Sequence, residues 1–122
     1  MTSVSEKLGP FIRLSDFAAK KSLDSQQLKT MIRSGEVVAV PVGNGNAALP
    51  SFQFNGGEVV PWLGEAFSRF DKSRAQHTQF ALWLREPATE LKGKTPIDLL
   101  KAGLFAPVLQ LASKVGEQRS GK

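Results

Sequence analysis

The amino-acid sequence predicts an α+β fold that is mostly helical: a helix–turn–helix and a β-hairpin, followed by a small helical domain. In the first half, a capped helix that ends at Gly35 precedes two β-branched or apolar segments, which a Gly-Asn-Gly-Asn turn separates. In the second half, apolar residues recur at helical spacing between prolines and glycines that begin and end helices. At 122 residues, the chain can form one compact domain or two very small ones.

The composition is that of a soluble globular protein, and it argues against an enzyme. Hydrophobic residues make up 41% and charged residues 22% of the chain. The chain has no cysteine, which excludes disulfides, thiolate metal sites and cysteine nucleophiles. His77 is the sole histidine, and no accompanying residues supply a zinc site or a catalytic triad. We therefore expect His77 to have a surface or capping role, and we expect no catalytic residue, no metal and no cofactor.

The net charge of +5 is compatible with a nucleic-acid partner, but its distribution is uneven. Residues 1–60 carry six basic and five acidic side chains, whereas residues 61–122 carry ten and six. A nearly neutral first half predicts that one copy binds DNA weakly, because neutralisation of phosphates supplies much of the affinity. A symmetric homodimer would double the contact area, so we expect a dimer.

No segment indicates export or membrane insertion. Residues 1–10 lack a basic region followed by an apolar core, so a signal peptide is not expected. No apolar run approaches the roughly 18 residues that a membrane-spanning helix needs. We therefore expect a cytoplasmic protein that does not contact a membrane.

Two helices are predicted at the start of the first half. Ser15 is placed to cap a short helix over residues 16–20. Asp24 is placed to cap the second helix, with Gln27 returning a capping hydrogen bond. Gly35 ends this helix as a left-handed cap.

A hairpin is predicted next, with strands over residues 37–42 and 48–54 and a turn over residues 43–46. Pro50 interrupts the second strand or confines it to an edge. A helix–turn–helix followed by a hairpin is the outline of a winged helix. Residues 11–57 resemble the excisionase and MerR-type DNA-binding modules, and this resemblance implies a DNA-binding, transcription-regulating role.

The second predicted helix has one apolar face, formed by Leu28, Met31 and Ile32, and one polar face. Gln and Arg side chains can bind base edges, while Lys and Thr can contact phosphates. Any solvated helix also shows a polar face, so that alternative stays open. The residues predicted to bind DNA are Gln26, Gln27, Lys29, Thr30 and Arg33 on this helix, Arg13, Lys20 and Lys21 before it, and Asn44 at the hairpin tip.

Residues 58–76 are predicted to form a linking helix and a connector. Pro61 suits the first helical position, and an apolar stripe from Leu63 to Phe70 predicts a buried face. Trp62 falls beside this stripe, so we expect it to be partly exposed.

Residues 77–116 are predicted to form a helical domain, and residues 117–122 a short flexible tail. Three helices are expected in this domain, and each has its own start and stop signals. The first is capped by Thr78 and stopped by Pro87, the second begins at Thr95-Pro96 and closes at Gly103, and the third begins at Pro107 and ends at Gly116.

The stretch from Phe80 to Val115 resembles the toxin-binding domain of the Xre/MbcA/ParS antitoxins. The family motif falls on Trp83, Pro87, Leu91, Gly93, Pro96, Asp98 and Leu99. The resemblance implies a partner-binding or dimerisation domain of a toxin–antitoxin system. The partner would be a RES-type toxin, an enzyme that degrades NAD. Its blocking contacts would lie near Lys114, Gln118 and Arg119. The alternatives are a protein-binding adaptor and a stand-alone dimeric regulator with no toxin partner.

Overall fold

The computed structural model describes residues 8–43 and 45–120, and within them it contains six α-helices and five short strands. The helices are α1 Leu14–Lys21, α2 Ser25–Ser34, α3 Leu63–Phe70, α4 His77–Leu84, α5 Pro96–Lys101 and α6 Phe105–Ser120. The strands are β1 Phe11–Arg13, β2 Val40–Gly43, β3 Asn46–Pro50, β4 Phe54–Asn55 and β5 Glu58–Val59. The protein is therefore α+β and mostly helical, as predicted. None of the described helices is both long and apolar enough to cross a membrane.

The larger sheet has three antiparallel strands in the order β1-β3-β2. Helices α1 and α2 lie between β1 and β2 in the chain, so β3 closes the sheet by pairing with both strands. Strand β1 was not predicted, because three residues are too few to show an alternating pattern. A second hairpin, β4–β5, follows directly after the sheet.

The ends of α1 and α2 test the predicted caps. Asp24 and Gln27 form the predicted capping box, and Gly35 ends α2 with a φ of 81°. The predicted cap at Ser15 is wrong, because α1 begins at Leu14. Arg13 still has the extended backbone of β1, so the strand passes directly into the helix without a side-chain cap.

The predicted hairpin is confirmed, but the predicted strand ends are wrong. Strand β2 begins at Val40 instead of Val37, because the backbone of Val38 bonds to the side chain of Gln53 and not to a neighbouring strand. Strand β3 begins at Asn46 and ends at Pro50. A 3₁₀ turn over Ser51–Gln53 then replaces the rest of the predicted strand.

The predicted starts of α3 and α4 are also wrong, and each has a structural reason. Pro61 lies before α3, because Trp62 adopts a left-handed backbone with a φ of 71° and the helix begins after it. Thr78 lies inside α4, and Gln76 precedes the helix without a side-chain cap. The carboxylate of Asp71 instead binds the residues directly before α4, by accepting hydrogen bonds from the Ala75 and Gln76 amides at 2.9 and 3.0 Å.

Helix α5 agrees with the prediction, whereas α6 does not. The Thr95 hydroxyl accepts a hydrogen bond from the Asp98 amide, and Gly103 follows α5 with a φ of 82°. Helix α6 begins at Phe105, so Pro107 falls in its first turn, where amide groups lack helical partners anyway. Gly116 does not end α6, which continues to Ser120 through four of the six residues predicted as a tail.

Two apolar clusters hold the chain together. The smaller one lies under α1 and α2 and centres on Phe17, Leu28, Val37 and Leu49. The larger one joins residues next to the first hairpin, such as Val38 and Phe52, to the buried faces of α3, α4, α5 and α6. The predicted stripe of α3 is buried within it, and so are Val108, Leu111 and Ala112 of α6.

Helices α3 and α6 form the main helix–helix contact and run in the same direction. The Trp62 ring stacks on Phe105 at their amino ends, with ring centroids 4.2 Å apart. Further along, Arg69 Nη1 donates to Ser113 Oγ at 3.2 Å. At Gly116 the backbones are so close that a Cβ atom there would lie 2.2 Å from the Arg69 carbonyl oxygen.

Candidate nucleic-acid interface

Helix α2 presents the polar face that the sequence predicts. Gln26, Lys29, Thr30 and Arg33 are all exposed. On the opposite face Leu28 is buried, and Met31 and Ile32 are half-buried against the smaller cluster. The amphipathic pattern therefore fixes which face of α2 meets solvent.

Some polar groups of α2 already have a partner within the helix. Gln27 Oε1 accepts from the Asp24 amide at 2.9 Å, and Thr30 Oγ1 donates to the Gln26 carbonyl at 3.0 Å. Lys29 and Arg33 form no ion pair with any residue that the structure describes. The cationic groups best placed to meet an anionic ligand on α2 are therefore Lys29 and Arg33.

The basic residues predicted before α2 are arranged differently. Arg13 Nε lies 3.0 Å from Asp16 Oδ2, and Lys21 Nζ lies 2.6 Å from Glu58 Oε2. Lys20 is exposed, and its amino group lies beside Gly57 in the β4–β5 hairpin. The structure thus brings Lys20 and Lys21 to that hairpin. Exposed ion pairs contribute only about 0–1 kcal/mol, so a phosphate could compete with Asp16 for Arg13 and with Glu58 for Lys21.

Asn44, predicted at the tip of the first hairpin, lies outside the described residues. Its neighbours Gly43, Gly45 and Asn46 are all exposed. The β2–β3 register also shifts between Pro41 and Gly43, next to the tip. The described residues next to the tip, Gly43 and Gly45, therefore present backbone and no side chain there.

The residues predicted from the antitoxin resemblance fall into two groups. Of the motif residues, Leu91, Pro96 and Leu99 are buried and Trp83 is half-buried, whereas Pro87, Gly93 and Asp98 are exposed. Lys114 and Gln118 are exposed on α6, and Lys114 Nζ lies 3.8 Å from Glu90 Oε2. Arg119 belongs to α6, but its side chain lies outside the described part of the chain.

Sequence reasoning missed the side chains that fix the segment between α2 and β2. Gln53 is fully buried and binds Val38 at both backbone groups: its Oε1 accepts from the amide and its Nε2 donates to the carbonyl, each at 2.8 Å. Gln53 Nε2 also donates to the Pro50 carbonyl at 3.0 Å. Gln53 falls within the predicted strand over residues 48–54, and a glutamine there gives no sequence signal for such a role.

His77 is the second of these side chains, and the predicted surface or capping role is wrong. Its Nδ1 accepts a hydrogen bond from the Ala39 amide at 3.2 Å. Its ring is half-buried and meets the Phe67 ring edge to face, with centroids 4.9 Å apart. Burial lowers the pKa of His77 below its ordinary value, although hydrogen bonds to the Ile32 and Arg74 backbones and the charge of Asp71 oppose this effect.

Three apolar side chains form an exposed patch at the amino ends of α3 and α6. Trp62 is 47% exposed and Leu104 is 55% exposed, and the half-buried Phe105 ring lies against Trp62. The expected partial exposure of Trp62 is confirmed. We call Trp62, Leu104 and Phe105 the apolar patch.

Comparisons with known proteins bear on the fold. No protein-family model matches the chain, and no curated protein matches it. Among solved structures, the chain is similar to the NMR structure of Rv2175c, with 22% sequence identity and a TM-score of 0.76. The similarity covers 94% of this chain and 86% of that one. At this identity, the similarity establishes a shared fold and carries no functional assignment.

Proposed function

We propose that this protein is a small DNA-binding transcriptional regulator in which α2 lies in the major groove of double-stranded DNA. The order of elements supports this proposal: β1, the helix pair, then a hairpin whose strand β3 lies between β1 and β2. We interpret this order as that of a winged helix-turn-helix, in which the second helix of the pair would contact base edges. The observation that carries the proposal is the exposed face of α2, with Lys29 and Arg33 free of ion pairs to described residues.

Each exposed group on α2 has a distinct role in this proposal. Arg33 can form two parallel hydrogen bonds with a guanine edge, and Gln26 can do the same with adenine. Lys29 has a compact charge that suits a phosphate. The tip of the β2–β3 hairpin would lie along the neighbouring groove or backbone. Gln27 contributes chiefly through the capping box, which holds the first turn of α2 in place.

Alanine variants at Lys29 and Arg33 test the proposal. Both side chains are exposed, so their removal leaves the core intact. We expect Lys29→Ala to weaken binding to all duplexes and to lower the slope of log affinity against log salt by about 1. Arg33→Ala should cost about 1–3 kcal/mol and relax sequence preference. Lys101→Ala removes one exposed charge from α5 and serves as the matched control. A gel-shift titration in which all three variants match the wild type would overturn the assignment of α2.

The apolar patch supports a second part of the proposal, a partner for the C-terminal half. We propose that this partner is a second copy of the chain, because the nearly neutral first half needs two copies for firm DNA binding. If the protein is also an antitoxin-type regulator, as the family resemblance implies, a RES-type toxin would bind elsewhere on the helical domain, near Lys114 and Gln118. Trp62→Ala should shift the protein toward monomer in sedimentation equilibrium, whereas Lys114→Ala should not.

A protein-binding adaptor with no DNA role is the alternative function. The same apolar patch favours it, because large exposed aromatic side chains are typical of protein interfaces. Salt separates the two functions: DNA binding weakens steeply as salt rises, whereas association through apolar side chains does not.

A further inference from the structure

We propose that His77 is a positioning residue for α2, and that protonation of its ring releases the segment between α2 and the hairpin and so weakens DNA binding. This inference rests on the proposed function, but its central step is a change within the protein alone. The segment concerned, residues 35–39, is called here the connecting segment. It sets the angle between the DNA-contacting face of α2 and the β2–β3 hairpin.

The connecting segment is fixed at three successive points. Gly35 lies against α3 and the connector, since a Cβ atom there would be 3.1 Å from Phe67 Cδ2 and 2.6 Å from Arg74 Cδ. Val38 is held at both backbone groups by Gln53. Ala39 is held through its amide by His77. Because these contacts lie between α2 and β2, they set the path of the chain from the helix to the hairpin.

The three attachments differ in their response to protons. The Gly35 contact is steric, and Gln53 does not titrate. A neutral histidine ring has one nitrogen that accepts a hydrogen bond, whereas a protonated ring donates from both nitrogens. The Ala39 amide is itself a donor, so protonation of His77 at Nδ1 places two N–H donors opposite each other with no acceptor between them, and the hydrogen bond is lost. The backbone groups of Ile32 and Arg74 favour the protonated ring, so they do not protect the bond to Ala39 on acidification.

The charged groups around His77 do not remove this effect. Asp71 is the carboxylate whose charge acts on the ring, and it raises the pKa less than burial lowers it. Strand β2 carries no titratable side chain. The other charged residues on the elements packed against the ring are Lys29 and Arg33 of α2, Glu36 of the connecting segment, Glu65 and Arg69 of α3, and Lys72 and Arg74 of the connector. Glu65 and Arg69 pair with each other, and Glu36 accepts from Ser34.

The direction of the pH effect follows from the lowered pKa. The unfolded chain binds the proton more readily than the folded protein, so the stabilising contribution of neutral His77 is complete above a pH of about 6.5. It declines as the pH falls from there through the pKa of the folded state. The attachment of Ala39 is therefore intact at neutral pH and is lost on acidification.

The first measurement follows the Ala39 amide and the His77 ring in the wild-type protein by NMR, from a pH of about 8 to about 5. We expect the Ala39 amide signal to titrate with the same midpoint as the His77 ring, and its hydrogen exchange to accelerate below that midpoint. An Ala39 amide that shows no inflection at the His77 midpoint would refute the inference, whether or not the protein binds DNA.

The second measurement compares DNA affinity across the same pH range, by fluorescence anisotropy with a labelled mixed-sequence duplex. His77→Asn places an amide oxygen where Nδ1 lies and cannot titrate. We expect the wild type to lose affinity several-fold on acidification beyond any loss in His77→Asn. His77→Gln, whose amide lies further from Ala39, should bind weakly at every pH. Parallel pH profiles for wild type and His77→Asn would overturn the link to DNA binding. No DNA binding by either at any pH would overturn the proposed function instead.

Discussion

Gly116→Ala tests the packing of α3 on α6, because two opposing effects have different magnitudes there. Alanine is normally the better residue inside a helix, by about 1 kcal/mol. At position 116, however, the new Cβ would lie 2.2 Å from the Arg69 carbonyl oxygen and 3.1 Å from that of Phe70. Both neighbours are backbone atoms of a helix, so no side chain can turn away to make room.

The cost can be estimated from the required movement. An ordinary contact would need the two helices to separate by roughly 1 Å, a gap that forfeits a quarter to a half of each dispersion contact between them. Buried side chains on α6, Val108, Leu111 and Ala112, would lose packing against α3. Overpacking of this kind costs about 1–3 kcal/mol, and a rigid backbone neighbour places the cost at the upper end. After the helix preference is subtracted, Gly116→Ala should be about 2 kcal/mol less stable than the wild type.

Gly64→Ala is the control, since Gly64 also lies in a helix, in the first turn of α3. Its added Cβ would be 3.5 Å from the Gly35 carbonyl oxygen, an ordinary contact. We expect this variant to be as stable as the wild type or up to about 1 kcal/mol more stable. Urea denaturation followed by circular dichroism measures both variants. If both alanines stabilise the protein equally, the close contact between α3 and α6 is not real and the reasoning fails.

Two further predictions concern buried or capping hydrogen bonds. Asp71→Ala removes the acceptor for the Ala75 and Gln76 amides and should cost about 1–2 kcal/mol in urea denaturation. Burial raises the pKa of Asp71, but its hydrogen bonds from Gln76, Ser73 and Ala75 outweigh this, so the pKa is lowered and the stabilisation should disappear on acidification below a pH of about 4. Gln53→Leu would leave both backbone groups of Val38 without partners and should cost about 2–4 kcal/mol, whereas an unchanged midpoint would show that water replaces the amide.

The sequence predicts those parts of this fold whose signal is local. The capping box at Asp24, the left-handed cap at Gly35 and the buried stripe of α3 each follow from a few neighbouring residues, and each is confirmed. The exposed face of α2 follows from helical periodicity in the same way. The candidate site was therefore predictable as far as it depends on α2 alone.

What the sequence could not predict depends on residues that are distant along the chain. Glycine often ends a helix, so Gly116 was predicted as a helix end. It lies inside α6 instead, at a position where the Arg69 backbone comes too close for a side chain. His77 looked like a surface residue because Ala39, its partner, is 38 positions away. Lys21 was predicted to bind DNA because no residue near it in the sequence indicates its ion pair with Glu58. Such pairings exist only after the chain has folded.

The most direct test of the central claim is an NMR titration of the ¹⁵N-labelled protein with a mixed-sequence DNA duplex at low salt. The account predicts that the amides of α2, above all those from Gln26 to Arg33, shift most, that the β2–β3 hairpin tip follows, and that the carboxyl half of α6 stays nearly unchanged. Shifts concentrated on that half of α6, or no shifts at all, would contradict the claim that α2 is the DNA-contacting helix.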